Sequence, residues 1–150
     1  MASFITNRAK AGFTNGELDW DTDTIKVLLV TSANDADADD DFIGAIGTLG
    51  ELSGTGYAAG FGGAGRKSLA TKSVEQDETN DRANLKADNV TWSAIDAGTA
   101  ASVLVVKEVT NDADSILIAR IDITSVVTNG GDLTIKWDNQ SSNGDILRLT

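Results

Sequence analysis

Residues 18–30, LDWDTDTIKVLLV, are the most strongly patterned stretch of this sequence. An Asp-rich entry leads into IKVLLV, in which five of the six residues are apolar and three are β-branched. A short apolar run of this kind is typical of a strand that is buried on both faces. We therefore predict a strand at residues 24–31 and expect the later parts of the chain to supply its partners.

The length and composition indicate one domain, residues 1–150, without disulfide bonds or structural metal ions. A chain of 150 residues can bury a sizeable core by packing alone. It contains no Cys and no His, which excludes disulfides, Ser-His-Asp and Cys-His catalysis and most zinc sites. No spacing singles out a pair of the 23 acidic residues for glycosidase chemistry either, so a hydrolase that uses carboxylates alone is the least favoured alternative. We expect a protein that is not an enzyme and has no cofactor.

The charge and hydropathy patterns limit the partners. The formal net charge of −11 would repel a phosphate backbone, and the 12 basic residues are scattered, so no nucleic-acid site is predicted. The first residues lack the apolar core of a signal peptide, and no later run approaches the roughly 18 apolar residues of a membrane span. We expect a protein that is made in a cytoplasm and does not enter a membrane.

Two short helices are predicted. Ile5, Ala9 and Phe13 recur at a spacing of four within residues 3–15, with Ser3 as a possible cap and Gly16 as a stop. A second helix is predicted near residues 41–50, although three glycines make it costly.

The acidic run at residues 34–41, NDADADDD, is interpreted as a solvated loop. It does not match an EF-hand, because Gly and the bidentate Glu are missing at the required positions. Asp35, Asp37 and Asp39 stay weak candidates for an irregular calcium site.

Residues 54–65, GTGYAAGFGGAG, are predicted to form a flexible interaction arm. They contain a GxGxxG pattern, but neither a preceding buried strand nor a following helix, so phosphate binding is disfavoured. A segment with this many glycines buries too little surface to become ordered by itself. We therefore predict that it becomes ordered against a neighbouring subunit or a partner protein. The candidate contact residues are Gly54, Tyr57, Phe61, Gly65 and Arg66.

From Arg82 onward the pattern is that of short strands separated by turns. Strands are predicted near residues 82–86, 89–95, 101–108, 115–124, 132–137 and 145–149. Turn residues lie at 111–112, 129–131 and 142–144. The predicted fold is all-β, an antiparallel β-sandwich or barrel of about eight strands with a short N-terminal helix. The predicted core consists of Ile25, Val27, Leu29, Val103, Val105, Ile118, Ile121, Ile135 and Trp137.

The three tryptophans have two possible roles. Trp20, Trp92 and Trp137 each lie at a strand end beside Asp or Asn, as in some sugar-binding clefts. Spread over distant strands, they are better explained as core residues with locally satisfied indole N–H groups.

Short motifs are spread along the whole chain. They are Gly16-x-Leu18-x-Trp20, residues 23–30 (DTIKVLLV), Gly56-Tyr57, residues 87–92 (ADNVTW), Leu117-Ile118-Ala119, residues 131–137 (GDLTIKW) and Gly144-x-Ile146-Leu147-x-Leu149. In these motifs the chain resembles small virion structural proteins of tailed bacteriophages from end to end. The resemblance implies a capsid decoration or cement protein on the virion surface, assembled in the host cytoplasm, with the major capsid protein as partner.

A homotrimer is expected, because a closed three-fold oligomer fits the local three-fold positions of a shell. The alternatives are a tail, neck or fibre component of the same virion, or a carbohydrate-binding β-sandwich module.

Overall fold

The computed structural model describes residues 3–139 and 143–150. Strands hold 43% of the chain and helical turns 10%, which confirms the all-β fold class. Within the described residues there are ten strands, somewhat more than predicted, and one α-helix. They are β1 (Phe4–Ile5), α1 (Asn7–Asn15), β2 (Ile25–Val30), β3 (Lys67–Ser68), β4 (Ser73–Asp77), β5 (Arg82–Asp88), β6 (Val90–Trp92), β7 (Thr99–Lys107), β8 (Ile116–Val127), β9 (Leu133–Ile135) and β10 (Asn143–Leu149).

The strands form three antiparallel sheets that together make a sandwich. The largest has the order β1-β8-β7-β2-β3, the second β10-β5-β4, and the third pairs β6 with β9. The predicted central strand β2 pairs with β7 along its whole length, from Ile25 opposite Lys107 to Val30 opposite Ser102. Its other edge is covered by β3 and, near Val30, by a bridge to Glu51.

Strand β2 is buried on both faces, as its continuous apolar sequence predicted. Ile25, Val27 and Leu29 face the main core between the sheets. Leu28 and Val30 face a second, smaller core on the outer side of the large sheet. Ala36, Ile43 and Ile46, from the segment that follows β2, complete this second core. The acidic loop is therefore part of a layer that covers the large sheet.

The predicted core residues pack together in the main core, with one difference. Ile121 is only partly buried, because β8 becomes progressively more exposed to solvent from this residue onward. The prediction that the tryptophans are core residues is confirmed. Each indole is almost fully buried and donates its N–H to a backbone carbonyl, from Trp20 to Lys86, from Trp92 to Gly65 and from Trp137 to Asp88.

Helix α1 begins at Asn7, later than predicted, because Phe4 and Ile5 pair with β8 as strand β1. The cap is Thr6, whose hydroxyl accepts the N–H of Ala9 at 3.0 Å. The predicted cap Ser3 instead accepts the N–H of Asp122. The predicted stop at Gly16 is confirmed, since Gly16 adopts a left-handed conformation with φ of 80°.

The predicted helix at residues 41–50 is wrong. The segment contains a single 3₁₀ turn, Ile43–Ala45. Two of its backbone N–H groups bond outside the segment, from Ile43 to the carbonyl of Ser115 and from Gly44 to that of Asp112. An added Cβ at Gly44 would lie 2.9 Å from the backbone of Ala113, so the glycine allows close approach to the β7–β8 turn.

The six strands predicted after residue 81 are all present, with boundaries shifted by a few residues. Strands β1, β3 and β4 were not predicted. The turns at residues 111–112 and 129–131 separate β7 from β8 and β8 from β9. The turn predicted at residues 142–144 lies partly outside the described residues, and Asn143 and Gly144 already belong to β10.

Candidate interaction surface

The Gly-rich loop, residues 54–65, begins with a tight turn held against the neighbouring sheet. Gly54 and Tyr57 exchange backbone hydrogen bonds of 3.1 and 3.2 Å. Between them Gly56 has a φ of 74°, and an added Cβ there would lie 2.6 Å from the carbonyl oxygen of Ala94. Glycine is required at this position by both the conformation and the close approach.

The side chain of Tyr57 fixes the first half of the loop to β2. It is 2% exposed, and its hydroxyl accepts the N–H of Leu29 at 3.0 Å and donates to Glu51 at 3.2 Å. Burial, and then the neighbouring charge of Glu51, raises the pKa of Tyr57 well above its ordinary value. Gly65 packs against the ring so closely that an added Cβ would lie 2.4 Å from ring carbons.

The side chain of Arg66 fixes the second half of the Gly-rich loop. It is fully buried between Glu51 and Asp112, with Nη2 2.7 Å from Oε2 of Glu51 and Nη1 2.5 Å from Oδ1 of Asp112. Burial alone would lower the pKa of the Arg66 guanidinium, but its hydrogen bonds with the two carboxylates outweigh burial and raise it. This ion-pair triad joins the loop, the segment after β2 and the β7–β8 turn.

The tip of the loop is held by two carboxylates. The N–H of Gly60 donates to Glu51 at 3.1 Å and that of Gly62 donates to Glu108 at 3.4 Å. Glu108 is itself paired with Lys26 of β2. Phe61, between the two glycines, is 45% exposed.

An apolar patch, formed by Phe61 and Val109, lies at this end of the sandwich. Val109 is 48% exposed and directly follows Glu108, which binds the loop tip. Exposed large apolar side chains on an acidic protein are candidates for contact with a partner. Within the predicted arm, Phe61 is the large apolar side chain that is exposed.

The structure corrects the sequence-based view of the arm. Tyr57 and Arg66 point into the interior, Gly65 is buried, and Gly54 offers only backbone. Of the five predicted contact residues, Phe61 alone presents a side chain to solvent. The stretch makes hydrogen bonds within the domain and is followed by the buried ion pairs of Arg66; that it becomes ordered only against a neighbour stays a prediction.

The calcium candidates are not brought together. Asp35 accepts the N–H of Thr48, Asp37 accepts that of Asp39, and Asp39 accepts the side-chain amide of Asn7. Across residues 3–139 and 143–150, no group of three or more acidic residues is placed to hold a metal ion. These carboxylates instead shape the loop that covers the second core.

The residues that sequence reasoning missed are Glu51, Glu108 and Asp112. They hold the Gly-rich loop, and they lie 6 to 46 residues from their partners in the chain. No spacing rule joins them. The one available signal was Arg66 itself, since an Arg that follows a Gly-rich run and precedes a strand needs carboxylate partners if it is buried.

Comparison with protein-family models, with curated proteins and with solved structures finds no match to this chain. In the part of the chain that the structure describes, no helix is long and apolar enough to cross a membrane.

Proposed function

We propose that this protein is a structural component of a tailed-bacteriophage particle and acts as a capsid decoration, or cement, protein. The sequence resemblance from Gly16 to Leu149 supports the virion class. The observation that carries the capsid-binding role is the apolar patch, in which Phe61 stands exposed on a loop whose two ends are anchored in the domain.

Anchoring matters because a contact loop that is ordered before binding loses little conformational entropy when it binds. Glu51 holds both Arg66 and the N–H of Gly60, so the tip is positioned from inside the domain. An aromatic side chain presented in this way fits the role of an anchor residue in an interface. Many copies of one modest contact, repeated over a lattice, would give a durable attachment.

The net charge of −11 is consistent with a position outside a DNA-filled shell, since such a protein does not compete for the packaged nucleic acid. We further propose a homotrimer on the local three-fold positions, with the major capsid protein as partner. The carbohydrate-binding alternative is less well supported, because the tryptophans that suggested a sugar cleft are buried.

The direct test is a comparison of particles with and without this protein. Capsids that lack it should release DNA at a lower temperature or a lower salt concentration, and adding the purified protein back should restore them. Cryo-electron microscopy should locate its density on the capsid. Density only on the tail or neck, or unchanged DNA release after removal, would contradict the cement role.

Point variants connect this test to the apolar patch. We expect Phe61→Ser to weaken capsid binding by about 2 kcal/mol or more, as for a central aromatic anchor. Val127→Ser is the matched control, since Val127 is 69% exposed but lies at the opposite end of the large sheet. Equal binding by the two variants would exclude the patch as the contact.

A further inference from the structure

A groove runs along the outer side of β10, where this strand meets α1 and the edge of the large sheet. Two connected hollows of about 450 and 310 Å³ form it, and they share Ile5, Lys10 and Arg148. Apolar side chains from both sides form its floor. They are Ile5, Phe13, Ile121, Ile146 and Leu149.

The backbone of β10 is left without a strand partner on the groove side. In the described residues β10 is the last strand of its sheet, so one of its edges is unpaired. On the opposite side the large sheet ends in the two-residue strand β1, and neighbouring backbone groups of β8 bond to Thr6, Asp41 and the side chain of Ser3. An exposed strand edge presents N–H and C=O groups that an added strand can pair with.

The groove contains one basic side chain without an acidic partner among the described residues. Lys10, Arg120 and Arg148 line the larger hollow together with the carboxylate Asp145. Arg120 is paired with Asp122, and Arg148 is paired with Asp138 and Asp145. Lys10 is exposed and makes no ion pair with any described residue.

We propose that this groove binds an extended, acidic segment of a partner protein as an additional strand along β10. Successive side chains of an extended segment point to opposite sides. Alternate apolar residues can therefore pack on the floor while an intervening carboxylate meets Lys10. The inference stands apart from the proposed capsid role and does not depend on it.

A second copy of this chain is a poorer occupant than a separate partner. Its most acidic stretch, residues 35–41, is engaged in its own fold, with Ala36 buried in the second core and Asp35 bonded to Thr48.

The test uses a fluorescein-labelled peptide in which Val and Asp alternate, with fluorescence anisotropy as the measurement at about 0.15 M salt, where the repulsion from the rest of the acidic chain is screened. We expect the peptide to bind and a peptide with Lys in place of Asp not to bind. Lys10→Glu should weaken binding about tenfold, because a partly desolvated attraction becomes a repulsion. Lys136→Glu makes the same charge change at an exposed position outside the groove and should leave affinity within about twofold.

Hydrogen exchange of the protein, measured with and without the bound peptide, locates the binding site. We expect added protection of backbone amides within Asn143–Leu149. The proposal is overturned if the Val-Asp peptide does not bind, if the Lys peptide binds equally well, or if Lys10→Glu and Lys136→Glu behave alike. Protection confined to other strands, or concentration-dependent pairing of two copies through β10 without peptide binding, would also overturn it.

Discussion

At the scale of single residues, the buried guanidinium of Arg66 controls the shape of the Gly-rich loop. Its side chain is fully buried, and that of Glu51 is 6% exposed. A buried pair of this kind contributes little net free energy compared with apolar packing, but removal of one partner leaves an uncompensated charge. Folding and the presentation of Phe61 therefore depend on the same ion-pair triad.

We predict that Arg66→Ala lowers the free energy of unfolding by about 3–5 kcal/mol, because Glu51 stays buried without its partner. Urea unfolding, monitored by circular dichroism, measures this loss of unfolding free energy. Arg8→Ala is the control, since the Arg8–Glu17 pair is about one third exposed and should cost no more than about 1 kcal/mol. Similar losses in the two variants would contradict the role assigned to the triad.

Tyr57 is the only tyrosine in the chain, so its ionisation can be followed directly. Its pKa is raised in the folded state, so its contribution to stability is full below the unfolded pKa of about 10 and is lost as the pH rises above it. We predict that tyrosinate absorbance at alkaline pH appears only together with unfolding. Reversible ionisation near pH 10 with an unchanged circular dichroism spectrum would show that Tyr57 is not buried as described.

At the scale of elements, β2 owes its stability to two cores rather than one. Leu29 packs in the main core and Leu28 in the second core, under the segment that contains Ala36 and Ile43. Both leucines have 0% exposure. The acidic loop thus has a packing role that its polar sequence does not suggest.

We predict that Leu28→Ala destabilises the protein about as much as Leu29→Ala, each by roughly 2–5 kcal/mol, because both leave a cavity. Val127→Ala, at a largely exposed position, should cost less than about 0.5 kcal/mol. Thermal unfolding of the three variants measures these differences in stability. A mild effect at Leu28 alone would mean that residues 34–49 do not cover the sheet in solution.

At the scale of the whole molecule, the proposed trimer must bring together three strongly acidic chains. Each copy carries a net charge of −11, and repulsion between copies is screened by salt. Association should therefore depend on ionic strength even if the contacts themselves are apolar.

We predict that sedimentation equilibrium gives a mass three times the 15.6 kDa of the chain, with tighter association at higher salt. The Phe61→Ser variant should still form trimers if the apolar patch contacts the capsid. A monomer at all concentrations would exclude the trimer while leaving capsid binding by single copies testable.

The sequence by itself determined the class of fold and most of the core. The β-branched run of β2, the short strands after Arg82 and the positions of Trp92 and Trp137 are local patterns, and local patterns select strands and buried faces. For the same reason the helix stop at Gly16 was predictable, since a left-handed residue there is a local requirement.

Only the tertiary structure decided what the polar and Gly-rich segments do. Composition predicted that Arg66 is an exposed contact residue, but Glu51 and Asp112, brought in from other parts of the chain, pair with it in the interior. Likewise the segment around Gly44 does not form the predicted helix, because its backbone bonds to the distant β7–β8 turn. Hydrogen bonds and ion pairs between residues far apart in the chain leave no periodic signal, so their partners become known only when the sheets are assembled.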